Sequence, residues 1–515
     1  MNDLPDYALH SRFLRGLAGA AERPAIRVGA ETVSFAEAHE LALRWAGALL
    51  AGSAEPLRAV GVLANTGIEG FIGNLAALYA GCTVVPLHPD FPALRTRRMI
   101  QAAGVSAVLA DEQGLSALTA AELDIPVLVP RRSGEGDGRQ RSISSVPRHT
   151  LDAPLMVKPS DVAYILFTSG STGRPKGVQI THGNMASYFR SVDERYDFCA
   201  EDVFSQTFGL NFDCAMFNLF CAWNAGASVH AVPAQAYRDL PSFLAERRMS
   251  VWFSTPVSIS LVRRMGGLAP DALPTLRWSF FAGEALQCQD AADWQAAASG
   301  SAVENLYGPT ELTLTITSHR WLPEVSAGLG VNGLVPIGAV HEDHDHVLLD
   351  EDEKIATTEG ELCVTGPQLT PGYLDPADNE PRFLEHDGRT WYRTGDRVRA
   401  LAGNELLYLG RLDSQVQVQG WRVELAEVDQ AVRGCTGVDD AVTVTRPADS
   451  GVELMVFYTG APAPVTVLAQ QLRRILPHGL IPRHYQHVEE FPLNANRKVD
   501  RGQLAREAAG TARES

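Results

Sequence analysis

Residues 168–177 read Thr168-Ser169-Gly170-Ser171-Thr172-Gly173-Arg174-Pro175-Lys176-Gly177, so four hydroxyls, three glycines and one lysine fall within ten positions. Glycine lets backbone N–H groups approach an anion and wrap it in a concave nest, to which hydroxyls and an ammonium add donors. The chemistry this implies is phosphate binding. The common P-loop ends in Gly-Lys-Ser/Thr, whereas here Lys176 precedes Gly177. A serine-hydrolase elbow is excluded because Ser169 stands where Gly-x-Ser-x-Gly needs its first glycine. Two other segments gather reactive types. Asn305-Leu306-Tyr307-Gly308-Pro309-Thr310-Glu311 offers an aromatic face for a base and a carboxylate suited to Mg2+ around one turn. Asn496-Arg497-Lys498-Val499-Asp500 gathers a guanidinium, an ammonium and a carboxylate, and by residue type alone its lysine reads as a surface one.

The elements that must hold these groups follow from hydrophobic patterning. An apolar run over residues 162–167 reads as a buried strand leading into the phosphate loop. Upstream, Ser34-Phe35-Ala36-Glu37 has capping-box spacing ahead of an amphipathic stretch at 41–50. A strand at 59–63, a helix at 71–79 and a strand at 82–87 come next, an order that implies parallel pairing with helices on the sheet faces. Further strands are expected at 251–255 and 278–283. The expected architecture is α/β: a core of residues 1–412 followed by a small, mobile α+β domain, residues 413–515. Within the core, two open α/β subdomains (about 1–155 and 156–330) precede a β-rich one (331–410). Ligands of such sheets sit at the carboxyl ends of strands, which puts residues 168–177 and 307–311 on one rim.

Composition narrows the function. At 515 residues the chain exceeds one ordinary core. A net charge of −17 argues against a nucleic-acid partner. The first residues lack a signal-peptide pattern and no run reaches the ~18 apolar residues of a membrane helix, so a cytoplasmic enzyme with no membrane partner is expected. Seven cysteines without a CxxC pair give no disulfide framework or zinc knuckle. Two signals are set aside. Gly328-Leu329-Gly330-Val331-Asn332-Gly333 matches G-x-G-x-x-G, but Val335-Pro336-Ile337-Gly338 follows in place of a helix. His341, His344 and His346 read as an exposed polar turn rather than a metal site.

The motifs occur in the order found in the adenylate-forming enzymes, the superfamily of acyl-CoA ligases, luciferases and nonribosomal-peptide adenylation domains, which this chain resembles over nearly its whole length. Residues 168–177 resemble that family's phosphate loop, and 305–311 its adenine and metal segment. Val85-Pro86-Leu87-His88-Pro89, Gly372-Tyr373, Tyr392-Arg393-Thr394-Gly395-Asp396, Gly410-Arg411-Leu412-Asp413 and Asn496 to Arg501 complete the series. The resemblance implies ATP and Mg2+. It places Thr168, Ser169, Gly170, Ser171, Thr172, Gly173, Lys176, Asn305, Tyr307, Gly308, Asp396 and Arg411 on the nucleotide, the last two at the ribose. Glu311 becomes the metal ligand, Lys498, Thr310 and Glu311 the catalytic residues, and Asp413 the hinge about which the tail domain turns between adenylation and thioester formation. Many relatives carry basic residues where this chain has Gln417 and Gln419, and a glycine in place of Arg497.

Phe212-Asp213-Cys214-Ala215-Met216-Phe217 is similar to the segment where amino-acid-activating members hold an aspartate for the substrate ammonium. Acyl- and aryl-CoA ligases, the alternative assignment, usually lack it, and a non-catalytic nucleotide-binding relative would be expected to lose Lys498 or Glu311. Residues 251–256, 281–284 and 419–424 resemble D-alanine carrier-protein ligases and free-standing adenylation enzymes. Pocket positions carried across are Asp213, Cys214, Phe217, Phe253, Phe280, Ala282, Leu306, Leu314 and Thr315. They imply a small uncharged amino acid, with alanine, glycine or serine favoured. The acyl acceptor implied is the phosphopantetheine of a separate carrier protein, for which Arg473, Arg474 and Arg483 are candidate docking residues.

Overall fold

The computed structural model describes residues 6–53, 55–130, 150–170, 174–330, 333–413, 415–448, 451–492 and 499–511. Ser171, Thr172, Gly173 and Lys498 lie outside them.

Strands of similar apolar character pair in parallel across two sheets. In the first, Val127–Leu128, Val105–Ala110, Ala59–Leu63, Thr83–Leu87 and Val162–Thr168 lie side by side in parallel, and Lys176–Thr181 closes the edge antiparallel. The phosphate loop therefore spans a hairpin between Val162–Thr168 and Lys176–Thr181, with Thr168 opposite Lys176. The second sheet has nine strands, in the order Ala339–Val340, Thr317–Arg320, Ala302–Tyr307, Trp278–Phe281, Val251–Ser254, Val203–Gln206, Ser228–Ala231, Pro24–Val28, Glu31–Ser34. A division near residue 155 does not separate these sheets, contrary to the sequence expectation. Pro24–Val28 runs beside Ser228–Ala231, where Ala25, Ile26 and Val229 are fully buried, while Val162–Thr168 belongs with the N-terminal strands. An edge accepts whichever segment covers its apolar face, irrespective of chain distance.

One core runs through both sheets, from Phe13 and Phe71 through Tyr164 to Phe217, Trp223 and Phe253. Helix Phe35–Ala51 starts at the predicted capping box: the Ser34 hydroxyl accepts from the Glu37 N–H and the Glu37 carboxylate from the Ser34 N–H. Helix Cys214–Ala225 is apolar nearly all round and buried through most of its length, as that pattern requires. It begins at Asp213 and stops at Gly226, whose φ of 71° supplies the left-handed cap.

Residues 345–411 form an antiparallel sheet in which Arg389–Ala400 pairs with Glu359–Thr365, Phe383–His386 and Leu406–Arg411. Beyond Asp413 lie a hairpin, Gln415–Val418 with Trp421–Glu424, and a three-stranded sheet covered by helices Leu425–Arg433, Val465–Leu472 and Arg501–Thr511, with its own apolar clusters. No helix among the described residues is long and apolar enough to cross a membrane.

Candidate active site

A cavity of about 700 Å3 opens where the two sheets, the antiparallel sheet and the C-terminal hairpin meet. That is ample for a nucleotide and a small acid. Thr168 and Ser169 reach it from the first sheet, and Asn305, Tyr307, Gly308 and Thr310 from the second. Asp396 and Arg411 enter from the antiparallel sheet, and Gly420, Trp421 and Arg422 from the hairpin. Gly308 is required by close approach: a Cβ there would lie 2.6 Å from the Thr315 Cα.

On the antiparallel side, Asp396 is buried between two donors. The Tyr307 hydroxyl donates to Oδ2 at 2.6 Å and Arg411 to Oδ1 at 2.9 Å. Burial pushes its carboxyl up in spite of Arg411. Arg411 also holds Asp413 (2.9 and 2.6 Å), as does Arg382 (2.6 Å). Burial raises the Asp413 carboxyl, but the two guanidiniums outweigh it and hold it at about 2. The predicted ribose contacts and the predicted hinge residue thus share one ion-pair chain. Tyr307, assigned to adenine stacking, has its hydroxyl in that chain too.

The fully buried Glu311 follows the strand Ala302–Tyr307. Tyr373 donates to its Oε1 at 2.5 Å and Arg422 of the hairpin to its Oε2 at 2.7 Å. Burial pushes this carboxyl up, and Arg422 with Tyr373 overcomes that and holds it at about 2. Ser169 is likewise engaged by the hairpin: its hydroxyl donates to the Arg422 carbonyl at 2.7 Å and accepts from the Glu424 N–H at 3.2 Å. Lys176 lies 3.4 Å from Asp378 Oδ1, with its ammonium 5.3 Å from the centre of the Tyr373 ring.

Asp213 lines the cavity at the head of its helix, where Oδ1 accepts from the Cys214 N–H and Oδ2 from the Thr310 hydroxyl, both at 2.8 Å. Among the described residues no cation pairs with it. Burial raises its carboxyl, the two hydrogen bonds offset part of that, and Glu311 adds to the rise. Cys214, Ala282, Leu306 and Leu314 line the cavity with it. Phe217, Phe253 and Phe280 are fully buried and stand behind this lining, edge to face at 5.1 to 6.0 Å between ring centres. Thr315 points into the core, donating to the Tyr188 hydroxyl at 3.3 Å. Phe208 and Phe212 are the aromatic residues that line the cavity near Asp213.

Several contributors escaped the sequence reading. Arg422 and Trp421 had served only to mark a branch of the family, and their position over the cavity depends on contacts across some hundred residues or more. Trp421 packs 5.0 Å from Phe212 and 6.3 Å from Phe91, while the Gly420 N–H donates to Glu284 at 2.7 Å. Close by, Arg95 and Glu427 form a buried ion pair of 2.7 Å. The histidine segment departs from the exposed turn expected. Glu342 and Asp343 are exposed, but His341 is buried against Arg195 and Gln368, because an imidazole can satisfy both partners from within the fold. No group of three or more His, Cys, Asp or Glu able to hold a metal occurs among the described residues.

Comparison with known proteins identifies this architecture. Residues 13–374 match the family described as AMP-binding enzyme. The chain belongs to that family. This AMP-binding enzyme is 33% identical over 458 residues to an L-proline--[L-prolyl-carrier protein] ligase of Streptomyces coelicolor, covering 84% of each chain. It spans 42% of the length of another curated relative. Among solved structures, it is similar to IdnL7 at 53% identity and a TM-score of 0.75, over 98% of this chain and 100% of that one. The adenylation domain AlmE of Vibrio cholerae, crystallised with glycyl-adenosine-5'-phosphate, is similar at 27% identity and a TM-score of 0.83, over 98% of both chains. The α/β fold expected from the strand and helix pattern is the one these relatives share.

Proposed function

We propose that this enzyme joins the carboxylate of a small uncharged amino acid to the α-phosphorus of ATP and passes the acyl group to the phosphopantetheine thiol of a carrier protein. The observation that carries the reading is Asp213, a half-buried carboxylate in the cavity wall with which no cation pairs among the described residues. Such a group is costly alone and is compensated by a substrate ammonium. Its bond to Thr310 ties it to the nucleotide segment, so an acid gripped at its amine presents its carboxylate toward the phosphates. The proline ligase and the glycyl adenylate bound to AlmE support an amino acid. The aromatic wall of Phe217, Phe253 and Phe280 behind Cys214 and Ala282 favours alanine, glycine or serine. None of the nine pocket positions besides Asp213 is ionised, so a charged side chain would go unpaired.

In the first step a carboxylate oxygen bonds to the α-phosphorus, the bond to the bridging oxygen breaks and pyrophosphate leaves. Thr168 and Ser169, with the rest of the loop, would hold the phosphates, Asp396 and Arg411 the ribose, and Lys498 the charge developing at phosphorus. A single buried carboxylate beside a phosphate loop suits Mg2+, which takes most of its ligands from water and substrate phosphates. Bound at Glu311, that ion would neutralise the departing pyrophosphate. In the second step the thiol sulfur attacks the acyl carbon, the thiol proton is lost and AMP leaves. Arg473 and Arg474 are exposed, and Arg483 pairs with Glu453 at 3.2 Å, so the first two are the freer carrier contacts.

ATP–pyrophosphate exchange with a panel of amino, aryl and fatty acids tests the assignment. Alanine, glycine or serine should drive the fastest exchange. A panel in which only acids without an α-amine respond would reject it.

A further inference from the structure

The turn between Glu311 and Thr317 carries Leu314 into the cavity wall and bends against the preference of its residues. Thr313 and Leu314 have φ of 58° and 69°, a left-handed pair that β-branched or bulky side chains adopt only when their surroundings hold them there. Those surroundings converge on one side chain. The fully buried Gln368 donates its NH2 to the carbonyls of Leu312 at 3.0 Å, Thr313 at 3.3 Å and Thr315 at 3.0 Å, and its own main-chain carbonyl accepts from the Thr313 hydroxyl at 2.6 Å. Buried carbonyls need donors, and here one amide serves three.

The histidine segment set aside as a metal site holds that amide in turn. Arg195 can only donate, so the His341 Nε2 at 3.0 Å accepts and its Nδ1 carries the proton, facing Gln368 Oε1 at 3.4 Å. The amide oxygen is thus drawn to the imidazole, and the NH2 is left for the turn. Burial, with Arg195 beside it, keeps the imidazole neutral by lowering it to about 3. His344 Nε2 accepts from the Gln368 N–H at 3.1 Å, while its Nδ1 donates to the Glu342 carbonyl at 2.8 Å.

We propose that Gln368 is a positioning residue of the acid pocket: it holds the turn 312–315 in its left-handed form and thereby fixes how far Leu314 enters the space beside Asp213. Without it the turn relaxes, and a longer side chain gains room. Glu311 is kept in place from other sides, its carboxylate by Tyr373 and Arg422 and its carbonyl by the Thr370 N–H at 3.0 Å. Gln368 therefore governs the choice of acid and leaves the nucleotide site alone. For what fills the pocket the inference rests on the adenylation reading.

The test is ATP–pyrophosphate exchange by the full chain carrying Gln368→Met, which keeps the length of the side chain but has no donor. Two substrates are compared: the acid that the wild type activates fastest and its homologue one carbon longer. A packed apolar pocket discriminates such a pair by roughly 10- to 200-fold. The ratio of their kcat/KM values should fall by at least about threefold, with the KM of ATP within about twofold of wild type. A smaller change in the ratio, or a parallel rise in the KM of ATP, overturns the proposal, since a residue that only stabilises the fold lowers Tm without touching selectivity. Where Gln368→Met fails to fold, Thr313→Val decides: it removes one bond of the clamp at constant shape and should lower the ratio by at least about twofold, and an unmoved ratio overturns the proposal. Because the pair is built on whichever acid the wild type prefers, the ratio reports on Gln368 even if that acid lacks an amine, so the two readings fail separately.

Discussion

Replacing Asp213 by asparagine keeps the size of the side chain and its acceptor oxygen but removes the charge. If the substrate ammonium sits against this carboxylate, the variant leaves a buried cation without its counter-ion. Breaking such a pair costs about 3–5 kcal/mol, or roughly 10²- to 10⁴-fold in kcat/KM. The lower end is expected, because an amide oxygen still accepts from an ammonium. In the empty enzyme the effect reverses. The carboxyl of Asp213 is raised by burial, so the folded state holds its proton more tightly than the unfolded chain does. That contribution to stability is full at low pH and is lost as pH climbs through the raised value. Asparagine carries no titrating group and escapes that loss. Asp213→Asn should therefore gain in Tm relative to wild type as pH is raised from acid values through the raised one, while losing about a hundredfold in amino-acid-driven exchange with nucleotide affinity unchanged. Exchange within fivefold of wild type, or an equal loss of ATP binding, refutes the ammonium site.

Other perturbations separate the remaining assignments. Lys498→Ala should lower exchange by ~10²- to 10³-fold and spare ATP binding, since its charge acts on the transition state; unchanged exchange removes it from catalysis. Phe253→Leu opens space behind the Asp213 pocket and should shift preference from alanine toward valine or leucine by ~1–3 kcal/mol, read as ratios of kcat/KM. Asp413→Asn should lower Tm at pH 7 and by a clearly smaller amount at pH 2.5. A carboxyl held at about 2 stabilises fully above its unfolded value and loses that as pH falls toward 2; an equal deficit at both pH values contradicts the Arg382–Asp413–Arg411 account. Glu427→Gln strands Arg95 in the contact between core and tail, so carrier loading should fall well below wild type while exchange persists. A parallel loss of both would make the pair merely structural.

Local signals were legible wherever neighbouring residues settle the outcome. Ser34 and Glu37 announce a helix start because both partners of the capping box lie three residues apart. The parallel pairing of 59–63 with 83–87 follows from the intervening helix. The membership of the two sheets was hidden, since Pro24–Val28 finds its neighbour about two hundred residues away and nothing in either strand names the other. In the site, Glu311 and Asp213 stood out by motif. The partner of Glu311 did not, because Arg422 reaches it through tertiary packing, and Arg422 within the sequence is one arginine of a strand. The three phenylalanines expected in the lining pack together behind it, because whether a ring fills a cavity or backs its wall depends on backbone placement that residue type does not encode.

The hairpin wall has a consequence for recombination. A crossover at residue 413 looks harmless, since no sheet among the described residues pairs strands from its two sides. Yet Gly420, Trp421 and Arg422 form part of the cavity that Asp213 and Tyr307 line from the other body, and Arg95 with Glu427 and Phe91 with Trp421 key the two surfaces together. A chimera that takes its tail from a relative inherits a foreign wall and a foreign key. Grafts meant to change the acid accepted will keep their turnover only if residues 91, 95 and 212 travel with residues 420–427.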